Sequence, residues 1–346
     1  MTTITDDQFM NLCLQLAAKG GPLVKSNPMV GCVIVNEGKI IGKGFHQKYG
    51  GPHAEVNAIE SVKNKKLLSQ STLFVNLEPC CHQGKTPPCT DLIIKNKIKK
   101  VVIGSTDPNP KVAGKGINQL NKAGIEVDKD VLVEECNFFN RRFFVNQLLK
   151  RPYIVLKWAE TKDGFFARND FKRKQISNSK SQKFVHGLRS AYQNILVGYR
   201  TVQFDNPELT VRKVKAPQIN YRIIIDEFLD LPLDKNVFDG QVNTIVFNTK
   251  KNMQHSNFIA VKLRGGNFFM KDLINYLQTK NFSSILVEGG VNTLQKFIDL
   301  NLWDETIQII SPHEWKKGIK GPQINRKPDS AEKLGNDSIF TYFNSL

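Results

Sequence analysis

Three possible zinc ligands and one free carboxylate lie in two short motifs in the N-terminal third of the chain. One motif is His-Ala-Glu, and the other opens with Pro-Cys-Cys-His and closes on a third cysteine. A catalytic zinc keeps three protein ligands and leaves its fourth position to water. His53, Cys80 and Cys89 fit that ligand set, and Glu55 fits a general acid and base beside the metal. Together they match the requirements of hydrolytic deamination of a nucleobase.

The spacing of the two cysteines predicts a long loop between them. Zinc deaminases commonly use Cys-x-x-Cys, but here Cys89 comes nine positions after Cys80. Two prolines directly before Cys89 predict a rigid loop that delivers it to the start of a helix at Thr90 or Asp91. A helix N-terminus would also favour the thiolate.

Two residues inside this loop could imitate ligands. We interpret Cys81 and His82 as non-ligands, because a further protein ligand would close the position that water must occupy. For any one residue of the motifs taken alone, an ordinary buried cysteine or hydrogen-bonded histidine remains the alternative. Their occurrence together favours a metal site.

Length and composition predict a globular protein of two domains. The chain has 346 residues, 40% of them hydrophobic and 23% charged. We expect the domains at residues 1–148 and 149–346. The sequence has no apolar run of membrane-spanning length and no N-terminal signal pattern, and its six cysteines suit a reduced compartment. A cytoplasmic protein without a membrane partner is therefore expected.

The formal net charge of +17 leaves two classes of partner open. A basic surface attracts nucleic acid, and one alternative is a nucleic-acid-acting zinc deaminase with a basic RNA-binding C-terminal half. The lysines are scattered in short groups, however, which favours a solvated basic face. A small phosphorylated substrate and a dinucleotide would benefit from the same charge.

Hydrophobic patterning predicts a three-layer α/β domain in the first half. A helix over residues 54–62 would carry His53 and Glu55 at its N-terminal end. A buried strand over 72–77 would deliver Cys80 at the carboxyl edge of a sheet, where such folds place their sites. Residues 135–149 are predicted to form a linker helix or coil. Further strands are predicted over 30–35, 40–45, 99–104 and 125–127, with a helix over 117–123.

The second half predicts another α/β domain with a mostly parallel sheet. The turn Glu288-Gly289-Gly290 follows a strand and opens a helix, so its amides could approach a phosphate, although a tight connection alone would explain it. The last 25 residues are polar and are predicted to pack poorly. Strands are predicted over 153–158, 195–198, 222–226, 244–248, 257–262, 284–287 and 306–310, and helices over 179–192, 270–280 and 293–300.

Longer segments in both halves resemble the bifunctional deaminase/reductase family of riboflavin biosynthesis. Residues 195–212 resemble the reductase half, whose fold is similar to dihydrofolate reductase, and the resemblance covers residues 1–315. Transfer RNA adenosine deaminases share the His-Ala-Glu core but keep the short cysteine spacing. The segments resembling the deaminase half are 26–32, 53–55, 78–80, 86–89 and 107–110.

The resemblance implies a cytidine-deaminase-like domain that binds Zn2+ and a dihydrofolate-reductase-like domain that binds NADPH. For Arg189 and Arg212, a surface ion pair is the alternative to substrate binding. For Thr201 and Asp205, the alternative is a turn with a helix cap. The implied cofactor contacts are Ala159, Thr201, Asp205, Gly290, Val291, Asn292, Thr293, Leu294, Gln295 and Lys296. The implied substrate contacts are Arg189, Leu209, Arg212 and Glu288.

Two departures from the family pattern lie near the expected nicotinamide pocket. Arg173 and Gln175 stand where many relatives have a serine and a tryptophan, which leaves stacking of an aromatic ring on the cofactor open. The turn over residues 160–164 replaces the commoner Ser-Leu-Asp-Gly.

The implied activity has two steps on one small phosphorylated pyrimidine. Water activated by the metal would displace the ring amine while Glu55 carries the proton. NADPH would then reduce the ribosyl chain to ribityl. We expect a homo-oligomer that binds no nucleic acid; one catalytically inactive half that only holds the oligomer together is the remaining alternative.

Overall fold

A computed structural model describes residues 5–84, 86–170 and 174–344. The chain divides into two compact units, Met1–Lys150 and Arg151–Leu346. Each unit contains helices and a sheet, as the sequence predicts. Within the described ranges, no helix has both the length and the apolar character needed to cross a membrane.

The first unit contains six α-helices and five strands among its described residues. Short 3-10 helices lie at Gly21–Val24 and Lys65–Gln70. In chain order the elements are α1 (Asp6–Ala18), β1 (Gly31–Asn36), β2 (Lys39–Phe45), α2 (Ala54–Ser61), β3 (Thr72–Val75), α3 (Cys89–Lys95), β4 (Lys100–Ile103), α4 (Lys115–Lys122), β5 (Glu126–Asp128), α5 (Val133–Phe139) and α6 (Arg141–Leu148).

The strands of this unit form one sheet in the order β2-β1-β3-β4-β5. Strand β1 pairs antiparallel with β2 and β3, whereas β3, β4 and β5 run parallel. Glu37 and Gly38 both have positive φ, 49° and 71°, which suits the two-residue turn between β1 and β2. The parallel strands place their carboxyl ends together, and the metal motifs follow there.

Side-chain alternation on β1 creates the three layers that the sequence predicts. Cys32 and Ile34 pack in the cluster that also holds buried residues of α2, α3 and α4. Val33 and Val35 point to the opposite face and pack with residues of α1 and with Cys136 of α5. Every residue of β1 is buried, because the strand is covered on both faces.

Of the two predicted forms of residues 135–149, linker helix or coil, the structure shows the helix, and the segment packs into the first unit. Helices α5 and α6 belong to the first unit, and Cys136, Phe143 and Phe144 are buried. The Asn140 side chain accepts a hydrogen bond from the Met29 amide at 2.9 Å and donates one to the Met29 carbonyl at 3.0 Å. These two hydrogen bonds connect the segment to Met29, which lies just before β1.

The second unit contains four α-helices and twelve strands among its described residues. Short 3-10 helices lie at Asn236–Phe238 and Gly266–Phe268. In chain order the elements are β6 (Tyr153–Thr161), β7 (Phe165–Ala167), α7 (Ser179–Tyr192), β8 (Asn194–Gly198), α8 (Tyr199–Asp205), β9 (Tyr221–Ile225), β10 (Asn243–Asn248), β11 (Met253–Gln254), β12 (Ile259–Lys262), α9 (Phe269–Thr279), β13 (Ser284–Val287), α10 (Val291–Asp299), β14 (Glu305–Ser311), β15 (Ile319–Lys320), β16 (Ser330–Leu334) and β17 (Asp337–Phe343).

Ten of these strands form a sheet whose centre is parallel. Its order is β11-β12-β10-β9-β8-β13-β6-β14-β17-β16, and the run from β12 to β14 is parallel throughout. Antiparallel pairs occur at both edges. The predicted mostly parallel sheet is confirmed. Strands β7 and β15 form a separate two-stranded ribbon.

The prediction of a poorly packed C-terminal segment is wrong. Strand β17 pairs with β14 along its length, and Asp337, Ile339 and Tyr342 are buried. The Asp337 carboxylate accepts hydrogen bonds from the Asn178 amide at 2.8 Å and the Ser181 hydroxyl at 2.6 Å. The segment also contains the largely exposed edge strand β16, and antiparallel strands with one solvated face carry many polar residues, which is why composition alone was misleading.

One predicted helix start needs correction, and one short helix was not predicted. Helix α3 begins at Cys89 itself, rather than at Thr90 or Asp91. Residues 199–205 form α8, which contains Thr201 and Asp205, where the turn and cap were the alternative. Both helices are short and begin directly after a loop or strand, so hydrophobic periodicity does not locate their first residues.

Candidate active sites

The three predicted zinc ligands meet at the carboxyl end of the sheet in the first unit. His53 is the N-cap of α2, Cys80 follows β3, and Cys89 is the first residue of α3. Their ligand atoms all lie within 4.8 Å of one another. The three residues brought together are therefore those that the motif spacing predicts.

The distances fit a tetrahedral metal. His53 Nδ1 lies 3.5 Å from Cys80 Sγ and 3.3 Å from Cys89 Sγ. Ordinary Zn–N and Zn–S bonds at a tetrahedral angle would hold such atoms roughly 3.5 Å apart. The Thr86 hydroxyl lies 3.3 Å from His53 Nε2, so the outer ring nitrogen has a partner that orients the imidazole. One imidazole and two sulfurs are the donor set of a catalytic zinc with an open fourth position.

The electrostatics of the cluster favour an ionised thiol. Hydrogen bonding to Cys89 and then to His53 lowers the pKa of Cys80 to about 4. The hydrogen bond to Cys80 in turn raises the pKa of His53. A metal binds the thiolate and the neutral imidazole, so zinc binding would release the proton that the neighbouring Cys80 favours on His53.

Glu55 is placed as a proton carrier beside this cluster. It lies in the first turn of α2, is buried, and its carboxyl interacts with Cys89. Burial raises the pKa of Glu55, which opposes ionisation and eases proton uptake. It is not a member of the ligand cluster.

Two possible ligands in the loop stay apart from the cluster. In the part of the chain that the structure describes, neither Cys81 nor His82 belongs to the group of metal-binding side chains. The Cys81 thiol instead lies 3.8 Å from the Lys111 carbonyl oxygen. Lys85, in the middle of the same loop, lies outside the described residues.

The buried carboxylate of Glu78, which the sequence analysis did not single out, supports the segment that carries Cys80. Glu78 lies two residues before Cys80 and accepts hydrogen bonds from four backbone N–H groups at distances between 2.9 and 3.2 Å. Two of them, from Gly116 and Ile117, belong to the first turn of α4, whose N-terminus the carboxylate therefore caps. The other two come from Asp107 and Gly114. The only sequence signal was the motif Glu-Pro-Cys.

His46 is a second residue that the sequence analysis missed. Its ring lies edge-on to that of His53 with centroids 5.5 Å apart. Its Nδ1 donates to the Pro52 carbonyl at 2.9 Å, so its Nε2 accepts from Asn27 Nδ2 at 3.0 Å. Burial lowers the pKa of His46, which keeps this imidazole neutral. A lone histidine at the end of a strand gives no sequence signal for such a position.

The second unit contains a cavity of about 960 Å³ at the carboxyl ends of its parallel strands. Both α8 and α10 begin at its wall, after β8 and β13. Eleven of the fourteen predicted contacts line it: Ala159, Arg189, Thr201, Asp205, Leu209, Arg212, Glu288, Gly290, Val291, Asn292 and Thr293.

The remaining three predicted cofactor contacts are not among the residues that line this cavity. Leu294 is fully buried in the main hydrophobic cluster of the unit. The Gln295 amide donates to Asp299 at 2.8 Å, and Lys296 lies 3.7 Å from the Glu227 carboxylate. A helix turns successive residues in different directions, so Leu294 enters the core, whereas Lys296 reaches the cavity-lining residue Glu227 without lining the cavity itself.

A buried ionic cluster forms one wall of the cavity. The Arg189 guanidinium binds both oxygens of the Glu288 carboxylate at 2.8 Å, and Lys157 Nζ lies 3.3 Å from it. Burial would raise the pKa of Glu288, but Arg189 and then Lys157 lower it to about 2. Arg189 therefore forms an ion pair. The pair is buried, whereas the alternative interpretation was an ion pair on the surface.

Arg212 lies nearer the cavity mouth and differs from Arg189. It pairs with Glu208 in a side-chain contact that is 45% and 50% exposed. Its backbone N–H donates to His186 Nδ1 at 2.9 Å, so the neutral imidazole carries its proton on Nε2. Burial, with the charges of Arg189 and Arg212, lowers the pKa of His186 to about 4.

Close packing at the start of α10 requires the glycines there. A Cβ on Gly198 would lie 2.3 Å from the Thr293 hydroxyl, and one on Gly289 would lie 3.0 Å from the Thr293 side chain. The helix N-cap, Gly290, has no side-chain cap, which leaves the first amides of α10 to a ligand. This geometry is the one expected for binding the phosphates of a dinucleotide.

The first departure from the family pattern, at Arg173 and Gln175, is only partly described by the structure. Arg173 lies outside the described residues, whereas Gln175 lines the cavity. The Gln175 amide donates to the Ser177 carbonyl and hydroxyl, both at 3.2 Å.

Comparisons with known proteins match both units. The family model described as the cytidine and deoxycytidylate deaminase zinc-binding region matches residues 3–105, and that of the RibD C-terminal domain matches residues 152–313. The riboflavin biosynthesis protein RibD of Aquifex aeolicus is 40% identical, with 97% of this chain and 98% of that protein covered. RibD of Actinobacillus pleuropneumoniae is 37% identical, with 98% and 96% covered.

Solved structures agree with these relatives over the whole chain. A diaminohydroxyphosphoribosylaminopyrimidine deaminase/5-amino-6-(5-phosphoribosylamino)uracil reductase from Thermotoga maritima has a TM-score of 0.87 and 36% identity, with 97% of each chain covered. RibD of Acinetobacter baumannii has a TM-score of 0.87 and 29% identity, with 99% of each chain covered.

These matches confirm the predicted family, fold class, activities and cofactors. The first unit has a cytidine-deaminase fold, and the second has the RibD reductase fold, which is like that of dihydrofolate reductase. Zn2+ and NADPH are the cofactors of the two reactions, and the substrate is a small phosphorylated pyrimidine. The nucleic-acid-acting alternative finds no support. The chain belongs to the RibD family, the bifunctional deaminase/reductases of riboflavin biosynthesis.

Proposed function

We propose that residues 1–148 carry the deaminase centre and residues 149–346 the reductase centre. In the first, His53, Cys80 and Cys89 hold the zinc, and Glu55 moves the proton. The observation that carries this assignment is the cluster of three ligand atoms within 4.8 Å of one another, next to a buried carboxylate.

The zinc would supply a water with a pKa near neutrality and therefore a nucleophile. The Glu55 carboxyl would hold a proton taken from water and pass it to the departing amine, because burial raises its pKa. Thr86 and the helix position of His53 hold the imidazole in place. Glu78 fixes the backbone that leads into Cys80.

In the second unit, NADPH would supply the hydride that converts the ribosyl group of the substrate to ribityl. Ala159, Thr201, Asp205 and the start of α10 bind the cofactor, with its phosphates on the uncapped amides. Leu294, Gln295 and Lys296 continue the same helix but do not line the cavity.

Arg189, Leu209, Arg212 and Glu288, which line the same cavity, bind the substrate. The half-exposed guanidinium of Arg212 is the group best placed to exchange its carboxylate partner for a phosphate, because it loses little by leaving Glu208. Glu288, held by two cations, stays ionised and accepts hydrogen bonds from the pyrimidine.

A coupled assay tests both assignments. The purified protein is given the diaminopyrimidine ribosylamino phosphate with and without NADPH, and ammonia release and nicotinamide absorbance are followed together. We expect ammonia in both samples and NADPH oxidation that follows it. A chelator should stop ammonia release but not the reduction of added deaminated substrate.

Other outcomes separate the two halves of the proposal. NADPH oxidation without ammonia release would remove the deaminase assignment, and ammonia release without NADPH oxidation would remove the reductase assignment. Either result would support the alternative in which one half is inactive.

We further infer a cytoplasmic homo-oligomer that binds no nucleic acid. The scattered basic groups support a solvated surface, and the phosphate-binding helix start accounts for part of the positive field. Light scattering of the full chain measures the oligomer. Salt-sensitive binding of transfer RNA, titrated against the same protein, would contradict the absence of a nucleic-acid partner.

A further inference from the structure

We propose that Trp315 forms the aromatic wall of the nicotinamide pocket, in place of the ring that Gln175 does not provide. The inference rests on the proposed reductase function. Trp315 and Gln175 both line the cavity, together with Ala159. Trp315 follows β14, and Ala159 lies on the neighbouring strand β6.

The backbone of Trp315 is held firmly at this edge. Its N–H donates to both oxygens of the Asp163 carboxylate, at 3.2 and 3.0 Å, and the next amide, of Lys316, donates at 2.8 Å. Lys316 has a φ of 62°, a left-handed conformation that is uncommon for a side-chain-bearing residue and is supported here by that hydrogen bond. The turn after β6 therefore fixes the segment that carries the indole.

Both flanks of Trp315 are also anchored. The Lys162 amide donates to the His313 carbonyl at 2.9 Å, and β15 pairs with β7 through Ile319 and Ala167. A ring on a segment held at both ends loses little entropy when it contacts a ligand. This pre-organisation suits a wall of a binding site better than a loose surface loop.

Trp315 is the tryptophan available for such a contact. The chain has three tryptophans, of which Trp158 is 1% and Trp303 is 5% exposed, whereas Trp315 is partly exposed. Of the other cavity aromatics, Phe166 also lies near this end but packs against the main hydrophobic cluster. Tyr199, Phe204 and Phe228 belong to the α8 and β9 side of the cavity, and Trp158, which also lines it, is almost fully buried.

Stacking on the nicotinamide would distinguish the two forms of the cofactor. The oxidised ring is a cation, and the face of tryptophan attracts a cation more strongly than any other side chain does. The reduced ring is neutral and gains only the smaller aromatic contact. Trp315 should therefore hold NADP+ more tightly than it holds NADPH.

Calorimetric titration of the full chain with each nucleotide tests the inference. Trp315→Ala should raise the Kd for NADP+ about tenfold and the Kd for NADPH only about threefold. Trp315→Phe should fold normally and give smaller rises in the same order. The matched control, Trp303→Phe, changes a buried ring outside the cavity and should leave both constants unchanged.

Fluorescence supplies an independent readout. NADPH should quench the tryptophan emission of the wild type and of Trp303→Phe, and the quenching should be clearly smaller in Trp315→Phe, in which Trp158 is the remaining tryptophan at the cavity. Equal constants for the wild type and Trp315→Ala, or equal rises for both nucleotides, would overturn the inference. A wild type that binds neither nucleotide would instead overturn the proposed reductase function.

Discussion

The two sites hold their buried carboxylates by different means. In the first unit, Glu78 accepts four backbone N–H groups, two of them at the start of α4. In the second unit, Glu288 is held by the side-chain cations of Arg189 and Lys157. One carboxylate is fixed by the path of the chain, and the other by charges that distant elements contribute.

This difference matches what each site must do. A metal centre needs rigid ligands at fixed distances, which backbone hydrogen bonds provide. A site that admits two sizeable organic molecules needs charged groups whose partners can change, and Arg212 with Glu208 is half exposed for that purpose. Changes of a few atoms should therefore impair the first site, whereas changes of charge should impair the second.

The largest effect is expected at the deaminase centre. Glu55→Gln should keep zinc binding but lower ammonia release by about 10²- to 10⁴-fold, because the amide cannot carry the proton. Zinc content and ammonia release of the purified variant are the measurements. The reductase rate should not change.

Glu60→Gln is the matched control, since Glu60 lies on the same helix and is exposed. Near-normal deamination by Glu55→Gln would remove Glu55 from the mechanism.

Neutralising the carboxylate of the second site should destabilise that unit. Glu288→Gln leaves Arg189 and Lys157 buried without a counter-charge, at a cost of about 3–5 kcal/mol in the free energy of unfolding. Denaturant unfolding measures this cost. Glu208→Gln, which removes an exposed partner, should change it by about 0.5 kcal/mol or less.

An unfolding energy for Glu288→Gln equal to that of the control would contradict the distinction between the two sites. It would mean that the cations find other partners or remain solvated.

Arg212→Ala tests whether the outer charge of the second site recognises phosphate. We expect about a tenfold rise in KM for the phosphorylated substrate, the effect of losing one charged hydrogen bond. The kcat of reduction should change little. Lys215 is an exposed cation in the same loop, but its side chain does not line the cavity. Lys215→Ala should therefore leave KM unaltered. An unchanged KM for Arg212→Ala would count against the phosphate role.

The smallest effect is a pH dependence of the second unit. The folded pKa of His186 is lowered to about 4 from an ordinary value of 6.5, so below pH 6.5 the unfolded chain binds the proton more readily. Stability should therefore decline as the pH falls from 6.5 towards 4. The folded pKa of Glu288 is also lowered, to about 2 from 4.5, and its contribution should be lost between pH 4.5 and 2.

Thermal unfolding at a series of pH values resolves these two windows. His186→Gln keeps an acceptor for the Arg212 amide and should flatten the decline above pH 4.5 only. An identical decline in this variant would remove His186 as its cause.

Much of the first site could be predicted from the sequence, because its ligands belong to short motifs. His53 and Glu55 lie on one helix start, and a proline-rich loop brings Cys89 to the next. The support from Glu78 and the contact of His46 were not predictable, since their partners lie on elements whose positions only folding fixes.

The second site was predictable mainly through resemblance. Its residues come from β6, α7, α8 and α10, and hydrophobic periodicity indicates those elements without stating which of their side chains face one cavity. The polar C-terminal segment shows the same limit, since its place as β17 depends on a partner strand.

The sequence by itself determined the proposed chemistry: a nitrogen and two sulfurs that could bind a metal, an acidic side chain proposed to carry the proton, and a glycine turn before a helix. The tertiary structure decided which charged side chains meet and which residues line the cavity. Arg189 meets Glu288 across 99 residues, and Asp163 holds the Trp315 amide across 152, through contacts that the folded sheet creates. Bonds between near neighbours follow from local geometry, whereas long-range pairs depend on the packing of whole elements.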